Sequence, residues 1–179
     1  MVIIVIVVIV LVALALLMRQ RQQTQRIQQK FGPEYDRTVE QAGGRKEAEK
    51  ELQERTKRRE ELQIRPLDPG AREEYAQQWR QTQERFVDNP QLSVREADLL
   101  VARVMQDRGY PVGDFEQRAR DVSVDHSSVV SEYRAAHEIS RLNDREGATT
   151  EQLREAMVHY RALFSELLEG DTGGDRAHA

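Results

Sequence analysis

Asp125, His126, Ser127 and Ser128 stand in succession. An acid, an imidazole and a hydroxyl are the parts of a nucleophilic triad. Residues adjacent in sequence do not face one another on a helix, so these four cannot assemble a triad by themselves. The competing reading makes Ser123 or Asp125 the N-cap of a following helix. With Asp125 as the cap, His126 falls in an exposed first turn. His137 lies eleven residues on, which is three turns or about 16 Å along a helix, too far to share a metal with His126. It borders Val130 and Tyr133 and reads as a packing residue. His159 is off the apolar stripe of its segment, and His178 lies in the C-terminal tail.

The chain has no cysteine. That excludes a disulfide framework, Cys-ligated zinc, thiol catalysis and Cys-linked lipidation. No Gly-rich phosphate loop and no H-E-x-x-H pair is present. No catalytic residue, cofactor or metal site is therefore expected. In the loop Arg108-Gly109-Tyr110-Pro111, a Gly at a helix end and a Pro after it explain most of the composition. Tyr110 remains a candidate recognition residue. Arg108, Tyr110, Asp125 and His126 together form the candidate interaction surface.

The elements that must position these residues begin with an apolar run. Met1 to Met18 carries no polar side chain, and as a helix it rises about 27 Å, near the low end of what crosses a membrane. Ala13-Leu14-Ala15 matches a small-x-small cleavage pattern but sits inside the apolar run, with no basic n-region before it. Residues 1–18 are expected to be a retained signal-anchor. Arg19, Arg21, Arg26 and Lys30 flank the run, and no acid occurs until Glu34. The positive-inside rule then puts the C-terminal side in the cytoplasm. The same four cations are placed to meet anionic head groups.

Residues 19–65 read as a charged helical stalk with thirteen basic and nine acidic residues. The stalk is net +4, which leaves −8 for the rest of the chain. Gly32-Pro33 ends one helix and begins another, and Gly43-Gly44 interrupts the second. Arg45 to Leu62 offers only Ala48, Leu52 and Leu62 as apolar positions. Coiled-coil character is weak, and a solvated spacer helix is expected, with a helix docked or paired through Leu52 and Leu62 as the alternative. Its basic cluster, Arg55, Lys57, Arg58 and Arg59, is flanked by Glu54, Glu60 and Glu61, so no nucleic-acid binding is expected. All four lysines lie in the stalk, a preference for Arg elsewhere that suits a GC-rich bacterial genome.

Residues 66–169 read as a helical domain. Asp68 can cap a helix with Pro69 in its first turn, and Tyr75, Trp79 and Phe86 share a face. The next helix starts near Pro90 or at Ser93, where Ser93-x-x-Glu96 matches a capping box. Val94, Ala97, Leu100, Val101, Val104 and Met105 form its stripe, with Leu99 opposite. A short helix from Asp114 carries Phe115, Ala119 and Val122. Another buries Val129, Tyr133 and Ala136. The last follows Thr149 and has the strongest helical period, through Leu153, Met157, Tyr160, Phe164, Leu167 and Leu168. Residues 170–179 read as a flexible tail. No segment alternates as a strand, so the class is all-α.

Five blocks carry a resemblance: Phe31-Gly32-Pro33-Glu34-Tyr35-Asp36, Arg85-Phe86-Val87-Asp88-Asn89-Pro90, Asp107-Arg108-Gly109-Tyr110-Pro111, Val122-Ser123-Val124-Asp125-His126 and Met157-Val158-His159-Tyr160-Arg161. As a set they resemble uncharacterised single-span membrane proteins of actinobacteria, over most of Phe31 to Leu168. The resemblance implies bacterial origin and membrane association, and it transfers no catalytic residue. The expected function is a membrane-anchored cytoplasmic helical interaction or scaffold protein without catalysis, with the lipid bilayer and a protein as partners. The alternatives are an exported helical domain released by cleavage, or a small enzyme using a polar site near His126 or His137.

Overall fold

The computed structural model describes residues 2–145 and 147–170. In the first helix, the side chains of residues 2–10, 12, 13, 16 and 17 lie outside the description. The described residues form helices and no strand. In chain order they are α1 (Val2–Phe31), α2 (Pro33–Ala42), α3 (Arg45–Glu61), α4 (Pro69–Arg85), α5 (Pro90–Asp107), α6 (Phe115–Val122), α7 (Val130–Arg145) and α8 (Thr150–Glu169). Among the described residues no helix is long and apolar enough to cross a membrane. Of the run expected to span, residues 1–18, the backbone from Val2 is helical but most side chains lie outside the description, and the tail beyond Gly170 lies outside it altogether. The chain divides into two units between Glu54 and Arg55, inside α3.

In the first unit, α1 runs unbroken to Phe31, where Gly32 takes φ 48° and Pro33 opens α2. Gly43 ends α2 in the left-handed region at φ 74°, a conformation that favours a residue without a Cβ. The Thr24 hydroxyl donates to Glu49 Oε1 at 2.9 Å, and the Tyr35 hydroxyl donates to the same oxygen at 3.2 Å. One carboxylate of α3 thus ties α1 and α2. Phe31, Tyr35, Ala48 and Leu52 are buried, with Glu34 and Thr38. Leu52 is buried, which fits the docked reading of Arg45 to Leu62 and not the solvated spacer expected there, within a first unit that ends at Glu54. Its apolar positions are too few to show as a stripe, and polar Thr24 and Glu49 supply the ties.

In the second unit, α8 packs against α7 and α5, and α5 also packs against α4. Leu153, Ala156, Met157, Tyr160, Leu163, Phe164 and Leu167 of α8 are buried. Each large apolar side chain among them contributes about 1.5–3 kcal/mol through removal from water. The Trp79 and Phe164 rings stack at 4.6 Å, joining α4 to α8. The Tyr75 hydroxyl donates to Asp107 at 2.6 Å. Burial, and then that hydrogen bond, push its pKa up to about 12.

Caps follow the expected residues at three starts. Asp68 accepts from the Ala71 N–H, Asp114 from the Gln117 N–H, and Thr149 with Gln152 forms a full capping box. Ser93 does not cap α5. Asn89 does, accepting from the Leu92 N–H, and Ser93 is buried one turn inside. Pro90 decides this, because it pre-sets the backbone of the first helical position. Leu99 is exposed, opposite the buried stripe, as its position predicts.

The unit boundary lies eleven residues before the expected start of the distal domain at 66. The end of α3 and the linker after it belong to the second unit. The Arg65 N–H donates to the Arg108 carbonyl at 2.9 Å, and Leu67 is buried.

Candidate functional site

Arg55, Arg58 and Arg59 sit at i, i+3 and i+4 on α3, which places them on one helix face. That face meets the end of α6 and the turn after it. Arg58 Nε pairs with Asp121 Oδ1 at 2.9 Å, and Arg59 Nε pairs with Asp125 Oδ2. Arg55 Nη1 donates to Ser123 Oγ at 3.5 Å. Asp121 also accepts from the Gln117 amide at 2.7 Å and is buried. Three of the four residues in the basic cluster, all but the exposed Lys57, are therefore matched to a carboxylate and hydroxyl surface.

Asp125 is the junction to a deeper network. Its Oδ2 accepts from the Tyr110 hydroxyl at 2.6 Å as well as from Arg59. Burial, and then the hydrogen bond to Asp125, push the Tyr110 pKa up. Arg108 reaches three acceptors: the Arg65 carbonyl at 3.4 Å, the Leu167 carbonyl at 3.3 Å and His126 Nε2 at 3.4 Å. His126 Nδ1 lies 2.9 Å from Glu166 Oε2, and Ser128 Oγ donates to Glu166 Oε1 at 3.1 Å. A guanidinium can only donate. His126 Nε2 is thus the acceptor, and the ring proton on Nδ1 points to Glu166.

This wiring bears on the chemistry. Activation of a serine needs its hydroxyl on one imidazole nitrogen and the acid on the other. Here the hydroxyl and the imidazole both end on Glu166, and Arg108 occupies the nitrogen that would act as base. In this arrangement the cluster joins chain segments, and the Ser128 hydroxyl is aligned on Glu166 instead of the imidazole.

The structure brings Arg108, Tyr110, Asp125 and His126 together, yet it corrects where they lie. Arg108 and Tyr110 are each 2% exposed and His126 is 7% exposed, so Tyr110 is no exposed recognition residue. Asp125 does not cap α7, which begins at Val130, and His126 is not in an exposed first turn. Residues 123–125 and 127–129 form turns, and the Asp125 carboxylate is held by Arg59 and Tyr110 instead of backbone N–H groups. Sequence reasoning missed Glu166, Arg55, Arg58 and Arg59 as members. Glu166 precedes Leu167 in a run that reads as stripe edge. Only the clustering of the three arginines on one helix face signalled a docking surface.

The second histidine sits apart from this network. His137 stacks on Phe115 at 3.6 Å between ring centres, with Nδ1 4.0 Å from Asp98 Oδ1. Burial holds its pKa below the ordinary 6.5, against the opposing pull of Asp98. The unfolded chain then takes up this proton more readily than the folded one. The contribution to stability is fully present above pH 6.5 and is lost as pH falls from there through the lowered folded value. His137→Gln is expected to flatten that decline, read from thermal melts across a pH series. Equal slopes below pH 6.5 in the two proteins would contradict this placement of the proton.

Arg19, Arg21, Arg26 and Lys30 are all exposed along α1. His159 lies 3.6 Å from both Glu132 and Glu155. Among the described residues, no group of three or more His, Asp or Glu could hold a metal ion. His178 falls outside them. No family model matches the chain, and neither a curated protein nor a solved structure matches it.

Proposed function

We propose that the chain is a single-span membrane-anchored protein whose helical second unit is a non-catalytic interaction module on the cytoplasmic side. One observation carries this reading. The backbone of α1 is one helix from Val2 to Phe31, so the apolar run and the basic segment after it are a single rod. A helix that carries this apolar run and continues into Arg19 and Arg21 suits a hydrocarbon core and its head-group boundary. Signal-peptide cleavage near Ala15 would have to act within that continuous helix. The wiring of His126, Ser128 and Glu166 favours an interaction module over a hydrolase at that cluster. The partner is a protein.

The test uses the full chain in a bacterial host. Alkaline carbonate should leave it in the membrane pellet with its N-terminal run intact by mass. A C-terminal fluorescent fusion should be bright, and a C-terminal alkaline phosphatase fusion inactive. Release into the carbonate supernatant, a mature chain beginning between residues 12 and 19, or an active phosphatase would overturn the reading.

A further inference from the structure

We propose that a groove in the first unit binds the phosphate of an acidic phospholipid head group. The groove has a volume of about 490 Å³ and lies between residues 20–28 of α1 and the first turns of α3. Arg21, Arg45 and Lys46 line it against one carboxylate, Glu49, with Thr24 and Gln28 as further polar lining. The fold creates this convergence. Gly32-Pro33 and Gly43-Gly44 turn the chain back, and the Thr24–Glu49 hydrogen bond sets α3 beside α1. Arg45 and Lys46, one turn before Glu49, are thereby brought to the part of α1 that immediately follows the apolar run. Arg21 lies three residues beyond Met18, about 4.5 Å along the helix axis.

The charge of the groove is unlike that of the other basic cluster. Arg58 and Arg59 each hold an aspartate in an ion pair. Arg21, Arg45 and Lys46 face the groove with an excess of two positive charges over Glu49. Glu49 is itself fixed by the Thr24 and Tyr35 hydroxyls on one oxygen. Two guanidiniums and an ammonium around a polar recess are suited to the oxygens of a phosphate, which the guanidinium fork can bind bidentately. The same chemistry would accept free inorganic phosphate. The head group is the assigned source because the groove adjoins the proposed span, so this inference rests on the anchor reading above.

The experiment is native mass spectrometry of the full chain in neutral detergent. It is titrated separately with phosphatidylglycerol, phosphatidylcholine and inorganic phosphate. Phosphatidylglycerol should bind more tightly than phosphatidylcholine. Each surface cation near an anionic lipid contributes about fivefold in affinity, so Arg45→Gln with Lys46→Gln should weaken binding about 25-fold. The charge-matched control, Lys50→Gln with Lys57→Gln, should leave it unchanged. Glu49→Gln should tighten binding, because the amide oxygen still accepts from Thr24 and Tyr35 while the negative charge is gone. A gain of that kind cannot come from misfolding. Inorganic phosphate binding that is lost in the same double variant, without lipid preference, would support the phosphate site and assign its source to the free anion. Unchanged binding of both phosphatidylglycerol and inorganic phosphate in the double variant relative to its control, or weaker binding in Glu49→Gln, would overturn the proposal. Failure of the anchor reads out separately, as a chain that stays in solution without detergent.

Discussion

Gly109→Ala is expected to destabilise the second unit by about 3–5 kcal/mol. Gly109 takes φ 96° at the end of α5, a conformation that costs a residue with a Cβ about 1–3 kcal/mol. The added Cβ would also sit on the Gln63 carbonyl oxygen, well inside van der Waals contact, and 3.2 Å from its carbon. That obstacle is backbone, held in place by the neighbouring Arg65–Arg108 hydrogen bond. It cannot swing aside as a flexible side chain would, and overpacking of this kind adds about 1–3 kcal/mol. The midpoint of thermal unfolding, followed through Trp79 fluorescence, should drop by about 10–20 °C. Gly113→Ala is the matched control: nothing lies within 4 Å of the place its Cβ would take, and its φ is not in the left-handed region. It should shift stability by no more than about 0.5 kcal/mol. Equal melting of the two variants would show that Gln63 does not seat against Gly109.

Arg108→Met should cost about 2–4 kcal/mol. The substitution keeps much of the buried aliphatic stem but removes the donors serving the Arg65 and Leu167 carbonyls and His126 Nε2. Each buried acceptor left without a partner costs about 1–3 kcal/mol, and partial relaxation keeps the total below the simple sum. Arg108→Lys should recover little of the loss. A single ammonium on a flexible stem cannot reproduce a planar fork that reaches three segments at once. Urea unfolding of the wild type and both variants in the same detergent separates these outcomes. Full recovery by lysine would mean that charge alone, and not the shape of the guanidinium, is what the network needs.

Wherever apolar periodicity is long enough, the helices are legible in the amino-acid sequence. The stripe of α8, the buried face of α5 and the caps at Asp68, Asp114 and Thr149 follow directly from side-chain type and spacing. The start of α5 turns on local competition between two cap candidates, which Pro90 settles. The first unit is harder to read, because a carboxylate bonded to two hydroxyls organises it more than a stripe does. The polar network in the second unit is half legible. Arg108, Tyr110, Asp125 and His126 are expected as a surface; Arg108, Tyr110 and His126 are buried instead, and Asp125 is exposed. They meet partners far along the chain: Arg59 lies 66 residues before Asp125, and Glu166 lies 40 residues after His126. A periodicity argument sees only neighbours on one element, so it cannot register partners at such separations.

The segment between Arg59 and Gln63 is fastened at both ends, to Asp125 at one and against Gly109 at the other, with only residues 60–62 between. It therefore has no slack. Inserting one residue there would rotate everything on one side of the insertion by about 100° on a helix and take either the guanidinium or the carbonyl out of register. The chain acts as a ruler at this point, fixing the distance between two anchor points by residue count. Variation in length is expected instead at turns without such double fastening. Homologous chains should accumulate insertions there and keep the spacing of residues 59–65 constant.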